Sequence, residues 1–332
     1  MADTPLGRDP GRLWAQVMGD AELGQWLAAL GWGGAAVGGA LLYVARRGGR
    51  WRRRAAWTLA VPTMLLALSV LAYRYRPWPS VRTWRPHPAV VVRVATRTAP
   101  RPLVLSTVRI DLAYPGLEVL TSEPAAGGRF AAMTTAEFLH QQGALVAINA
   151  HFFTPSWSRR PWDFYPRTGD PVRAVGYAAA NGTVHSAQRW RGAILHFDAA
   201  AHATPGVPED DSLGDAVGGR NILVTDGQAV SLANLGAAPR TAIGISDNGQ
   251  TLIVAVIDGR QPGYSEGMTI PELAALMVEL GAEHAIELDG GGSATLVVDS
   301  GSGGEVINSP IHTRIPGRMR PVSSHLGVRI GS

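Results

Sequence analysis

The chain contains no cysteine and no lysine. Without cysteine there is no disulfide, no thiol nucleophile and no thiolate ligand for zinc or an iron–sulfur cluster. All 30 basic residues are arginine, which excludes a Schiff-base lysine and any phosphate loop that needs Gly-Lys-Ser/Thr. Charge is scarce: 17% of residues carry it, against about 25% in an average soluble domain. The 40 glycines and 23 prolines follow no period, which rules out a collagen-like or coiled-coil chain. At 332 residues there is room for one large domain and accessory segments.

The charge that is present is unevenly placed. Residues 1–100 hold 14 Arg and 4 acidic residues, net +10, whereas 101–332 hold 16 Arg and 22 acidic residues, net −6. A nucleic-acid partner needs basic residues clustered on the folded domain, so none is expected.

Two uncharged apolar runs occupy the basic part, 26–45 and 55–73. At 1.5 Å per residue each reaches about 30 Å, one hydrocarbon core, and both read as transmembrane helices. Gly34-x-x-x-Gly38 in the first is spaced for close approach to the second. The loop 46–54 carries Arg46, Arg47, Arg50, Arg52, Arg53 and Arg54 with no acid, and the positive-inside rule keeps such a loop cytoplasmic. The tail 1–25 then crosses, and everything after the second span lies on the outer side, periplasmic or extracellular. Pro- and Arg-rich residues 74–95 read as an extended linker, leaving 96–332 as the folded domain.

In that domain short β-branched runs alternate with Gly, Asp and Asn turns: 103–112, 117–120, 144–149, 193–197, 222–226, 241–246, 251–258, 284–288, 294–299 and 326–330. Asp247-Asn248-Gly249 is a hairpin signal. Thr134-x-x-Glu137 and Thr269-x-x-Glu272 open two helices as capping boxes, stopped at Gly143 and Gly281. Each helix leads through Gly-Ala into a strand, either a faint repeat or two similar helix-to-strand units. The class expected is α+β, with a large mixed twisted sheet and few helices.

The densest chemical signal is Glu287-Leu288-Asp289-Gly290-Gly291-Gly292-Ser293. Strand alternation puts Ile286 and Leu288 toward the core and Glu287 and Asp289 side by side on the other face. Three glycines let backbone N–H groups turn onto a ligand, as in loops that cradle phosphate. Asn149, His151, Phe152 and Phe153 leave an earlier strand together, and such polar and aromatic residues suit sugar recognition. Taken alone, the Phe pair reads as core and His151 as a satisfied surface histidine. Arg240, beside Thr241, offers a planar fork for phosphate. Asp258-Gly259-Arg260 ends a further strand. Gly263-Tyr264-Ser265-Glu266-Gly267 matches the nucleophile elbow literally but lacks its strand-to-helix turn. No cofactor is called for, although Asp258, Glu287 and Asp289 suit a hard divalent ion.

Asn149-x-x-Phe152-Phe153, Pro239-Arg240-Thr241-Ala242-Ile243-Gly244, Asp258-Gly259-Arg260, Leu288-Asp289-Gly290-Gly291-Gly292-Ser293 and Arg320-Pro321-Val322-Ser323 stand in the order seen in the phosphodiester glycosidase family. From about residue 100 to 330 the chain resembles that family through this ordered set, not through any single motif. The resemblance implies an α+β catalytic domain that hydrolyses a sugar 1-phosphodiester at a site built from these motifs. Asp289, Glu287 and Arg240 are the catalytic candidates. Asn149, His151, Phe152, Phe153, Thr241, Asp258, Arg260, Gly290, Gly291, Gly292, Ser293 and Ser323 are the substrate-binding ones.

Breaking C1–O in such a substrate expels a phosphate monoester, a far better leaving group than a sugar alkoxide, so strong general-acid help matters less. Phosphate is then expected at Arg240 and the N–H groups of Gly290 to Ser293. Asp289 stabilises charge at C1 or activates water, with Glu287 as its partner. The competing expectation is a membrane-tethered module that binds anionic cell-envelope glycopolymer through the same cradle without cleaving it.

Overall fold

The computed structural model describes residues 20–47, 49–125, 128–156, 164–187, 193–198, 200–207, 214–301 and 303–331. The tail read as 1–25 lies outside them up to residue 19. Met1–Trp78 with Gln261–Glu266 forms one unit, and Pro79–Arg260 with Gly267–Ser332 the other.

Two helices, Asp20–Arg47 and Arg50–Arg74, make up most of the first unit. Ala28–Arg47 and Arg50–Arg74 are long and apolar enough to cross a membrane. Small residues form their contact: Ala45, Ala56, Ala60 and Ala67 are buried while Leu30, Leu59, Leu65, Leu66 and Leu68 face outward. A Cβ on Gly34 would sit 3.2 Å from Ala67 Cβ, and one on Gly38 3.3 Å from Met64 Cε, so the Gly-x-x-x-Gly face does allow the close approach its spacing suggests. The loop read as 46–54 is largely helical. Arg46 and Arg47 close the first helix and Arg50–Arg54 open the second, because arginine is a good helix former. In the Gln261–Glu266 segment, Gln261 and Ser265 exchange backbone hydrogen bonds, and the Arg76 guanidinium lies 3.4 Å from the Tyr264 ring centroid. Ser265 is fully buried there, not raised on a nucleophile elbow.

The second unit is α+β, and among the described residues its β structure lies in four sheets whose ladders are all antiparallel. The largest has eight strands in the order Arg82–His87, Val90–Arg97, Leu103–Asp111, Thr251–Ile257, Arg240–Ser246, His284–Glu287, Ile222–Thr225 and Gln228–Ala229. A five-stranded sheet runs Gly304–Val306, Leu296–Asp299, Val146–Asn149, His325–Ile330 and Leu117–Thr121. Another five strands, Thr183–Ala187, Tyr177–Ala180, Asp215–Gly218, Ile194–Phe197 and Ala203–Pro205, form the third sheet. Phe130–Ala131, Pro171–Val175 and Phe152–Thr154 form a small fourth.

Period-two alternation explains the layering. Leu252, Val254 and Val256 join Ile148, Leu296, Leu326 and Val328 in a core between the eight-stranded sheet and the sheet containing Val146–Asn149. Ile253, Ala255 and Ile257 face the other way, onto Ile270, Leu273, Leu276 and Met277 of the helix Ile270–Glu279. The helix Thr135–Gln142 covers the opposite outer face through Phe138 and Leu139. Both helices carry the expected capping box, and Gly143 closes the first in the left-handed region at φ 61°.

The segment read as linker, 74–95, instead contributes two strands, Arg82–His87 and most of Val90–Arg97. Val90, Val92 and Val94 alternate into the core. Pro86 is tolerated because its strand is at the sheet edge, where a missing N–H breaks no ladder.

Candidate active site

The two helix-to-strand units end at one place. Past Glu287, the Asp289 N–H donates to the Ala150 carbonyl at 3.0 Å, so the chain leaving His284–Glu287 meets the chain leaving Val146–Asn149. Asn149 holds this junction. Its Oδ1 accepts from Thr241 Oγ1 and the Thr295 N–H, both at 3.0 Å, and its Nδ2 donates to the Asp289 carbonyl. Asn149 and Thr241 are 1% and 0% exposed. The structure places them as a buried knot under the site rather than as groups facing a sugar.

Asp289 is half-buried at the start of the triglycine turn. Burial pushes its carboxyl up to about 6, against the Arg320 charge and hydrogen bonds from Ser293 and the Gly290 N–H; the Glu287 charge adds to the rise. Arg320 Nη1 donates to Ser293 Oγ at 3.4 Å, and its guanidinium stands 5.4 Å from the Phe153 ring centroid. The turn Gly291–Ser293 is a short 3₁₀ segment. Gly291 has φ +63°, with the Arg260 guanidinium 3.1 Å from where a Cβ would project. Gly290 admits no side chain, since a Cβ there would lie 2.6 Å from the Pro239 carbonyl oxygen.

Facing this turn is a second short turn, His312–Arg314, whose backbone leaves helical geometry at Thr313. A Cβ on Gly292 would come 3.4 Å from His312 Cα. Arg260, Thr313 and Arg314 all have positive φ, at 57°, 53° and 61°. Left-handed backbone costs a non-glycine residue about 1–3 kcal/mol and collects at functional sites. Three such residues border one turn.

The remaining expected residues divide. Arg240 and Glu287 are brought together, yet with each other instead of with Asp289. Arg240 Nη1 is 3.0 Å from Glu287 Oε1, Nε donates to the Met268 carbonyl and Nη2 to that of Gly236. Glu287 Oε2 accepts from Asn221 Nδ2 at 2.6 Å. The convergence of Arg240 and the triglycine amides on one anion is therefore not what the geometry gives. The Gly291 N–H is taken by the Pro239 carbonyl and the Gly290 N–H by Asp289, and the cation beside Asp289 is Arg320.

His151 is core. Its Nδ1 contacts Ser324 Oγ at 2.7 Å and its Nε2 the Tyr177 carbonyl at 2.8 Å, and burial lowers it to about 4 despite that backbone bond. Phe153 is buried with Phe130, Val172 and Val322, and Phe152 is half-buried. Asp258 accepts from Asn308 Nδ2 and the Ser309 N–H, each at 2.9 Å, anchoring that loop. Ser323 is buried, its Oγ without a hydrogen-bond partner among the described residues. Asp258, Glu287 and Asp289 thus have separate partners, and no group of three or more His, Asp or Glu suited to a metal ion occurs among the described residues.

Two residues at the site escaped the sequence reading. Arg320 stood inside a quoted motif without a role. His312 had no signal: it sits in a short loop with no periodicity.

The sequence profile of the phosphodiester glycosidase family matches residues 142–329, more than half of the chain. The chain belongs to the phosphodiester glycosidase family. Among solved structures it resembles a hypothetical protein from Synechocystis, with TM-score 0.57 and 15% identity over 75% of this chain. It spans 64% of that protein's length. It also resembles the zebrafish N-acetylglucosamine-1-phosphodiester alpha-N-acetylglucosaminidase catalytic domain auto-inhibited by its pro-peptide, with TM-score 0.52 and 18% identity over 76% of this chain and 87% of that one. These likenesses establish a shared fold. No curated protein matches the sequence.

Proposed function

We propose that this protein is a membrane-anchored hydrolase that cleaves the C1–O bond of a sugar 1-phosphodiester on the outer side of the membrane. The observation that carries the reading is the half-buried Asp289 beside Arg320, Ser293 and a glycine turn, in a chain of this family. A carboxyl held near 6 is mostly ionised at neutral pH. It can stabilise an oxocarbenium-like C1 or take a proton from the attacking water.

Glu287 is closed off by Arg240 and Asn221, so Asp289 acts without a free carboxylate partner at that position. A phosphate leaving group tolerates this, because it departs as a stable anion without strong protonation. Arg320 supplies the positive charge that lets a phosphodiester approach a carboxylate. The role expected of Arg240 passes to it.

The two apolar helices serve as the anchor, with the Arg-rich connection between them cytoplasmic by the positive-inside rule. The test is sugar release by the full chain in detergent against a panel of sugar 1-phosphodiesters. Asp289→Asn and Arg320→Ala should each lower kcat/KM by about 10²–10³, the scale of losing one preorganised charged contact. Wild-type turnover in both variants removes the assignment. Binding by the wild type without any product supports a non-catalytic module instead.

A further inference from the structure

Positive charge is densest where the two apolar helices connect. Arg46 and Arg47 end the helix Asp20–Arg47, and Arg50, Arg52, Arg53 and Arg54 begin the helix Arg50–Arg74, with no acidic residue between them. All six are exposed. The backbone compounds their charge. The N-cap Gly49 makes no side-chain hydrogen bond, and no acid stands in the first turn of the second helix. The N–H groups of Arg50, Trp51 and Arg52 precede the first bond inside that helix, from the Arg53 N–H to the Gly49 carbonyl at 2.9 Å. Arginines thus crowd the positive end of a helix dipole, a place that favours anions.

Aromatic residues set the depth of this connection. Tyr43 and Trp57 are 55% and 49% exposed, one on each helix just inside the arginines, and Trp51 among the arginines is 87% exposed. Trp and Tyr gather at the headgroup level of a bilayer. Arg47 follows Tyr43 by four residues, about 6 Å along the helix axis, and Arg54 precedes Trp57 by three. With the helices spanning, the arginines stand one turn outward of that belt, at the level of the lipid phosphates. The fold also steadies them. Arg53 Nη2 donates to the Arg46 carbonyl at 3.4 Å, lacing the end of one helix to the start of the next, and the Arg47 guanidinium carbon lies 4.5 Å from the Tyr43 ring centroid.

We propose that this arginine connection is a binding site for anionic phospholipid, its guanidinium groups gripping headgroup phosphates in the adjoining leaflet. The proposal rests on the reading of the two helices as a membrane anchor and not on the hydrolase reading. A guanidinium fork matches phosphate at two points and keeps its charge. A zwitterionic lipid brings a cation with each phosphate and leaves the arginine charge uncompensated. An anionic lipid such as phosphatidylglycerol does not, and each arginine close to such a surface favours it by about fivefold.

The test reconstitutes the full chain in phosphatidylcholine vesicles that carry phosphatidylglycerol in both leaflets, so that orientation does not enter. Spin-labelled phosphatidylglycerol should be preferred over spin-labelled phosphatidylcholine beside the wild-type helices by about threefold or more at low salt. The preference should fall toward one in about 1 M salt, where screening acts within about 3 Å. Arg50→Gln, Arg52→Gln, Arg53→Gln and Arg54→Gln together should abolish most of it, glutamine being nearly as good a helix former as arginine. Arg46→Gln with Arg47→Gln should remove a smaller share. Flotation at alkaline pH checks that each variant is inserted. An inserted wild type without the preference, inserted variants that keep all of it, or a preference that survives high salt overturns the site and leaves the anchor standing. Displacement by soluble glycerol phosphate at matched ionic strength would mean a free-anion site and overturns it as well. A wild type that does not float with vesicles removes the anchor and the site with it, whereas sugar release bears on neither.

Discussion

Arg240 and Glu287 form a closed ion pair, Nη1 standing 3.0 Å from Oε1 with the side chains 12% and 3% exposed. Their strands lie side by side in the eight-stranded sheet, and Asn221 takes the second carboxylate oxygen. Removing one partner of such a pair costs about 3–5 kcal/mol, because the other charge stays buried, whereas replacing both with apolar residues is often neutral. Arg240→Ala should therefore melt far below the wild type, and Arg240→Met with Glu287→Leu should recover most of the loss. Retained stability with weakened substrate affinity in Arg240→Ala would instead restore this arginine to the phosphate.

Acid should unfold the domain through its histidines. Burial holds His151 and His312 at about 4 and His325 at about 3. Each lies below its unfolded value of about 6.5, so between the two the unfolded chain binds more protons. Stability from these groups is complete above about pH 6.5 and is lost as pH falls toward 4. Denaturant midpoints measured across that range should decline steadily, and less steeply in His151→Asn, which cannot charge. A flat profile in the wild type would contradict the burial of these rings as neutral species.

Asp289 has the opposite sign. Its folded value near 6 lies above the unfolded one, so the native state holds the proton longer and ionisation costs stability as pH rises through about 6. Asp289→Asn should match the wild type in melting temperature near pH 4 and exceed it near pH 8, while losing activity. A variant less stable than the wild type at pH 8 would mean that the carboxylate is a net stabiliser, held by Arg320 and Ser293.

Local signals in the sequence carried most of the fold. The ten β-branched runs correspond to strands, and both Thr-x-x-Glu boxes cap helices, because alternation and capping depend on neighbours within a few residues. The strands Arg82–His87 and Val90–Arg97 were hidden by proline and arginine, whose bias toward linkers outweighed the alternation of Val90, Val92 and Val94. The candidate site was legible as a stretch of chain, Asp289 to Ser293, but not as a set of partners. Which arginine faces Asp289 is decided by how the folded chain brings distant segments together, and Arg320, although its motif follows directly on that of Asp289, carried no signal that set it above Arg240. His312 became visible only once its loop was seen folded onto the turn at Gly292.

Hydrolysis in water enriched in heavy oxygen tests the central claim most directly. Attack at C1 beside Asp289 predicts the label in the released sugar, an unlabelled phosphate monoester, and loss of labelled sugar in Asp289→Asn. Label in the phosphate, with the sugar leaving as its ordinary alcohol, would mean that the P–O bond breaks and that Asp289 does not act at the anomeric carbon.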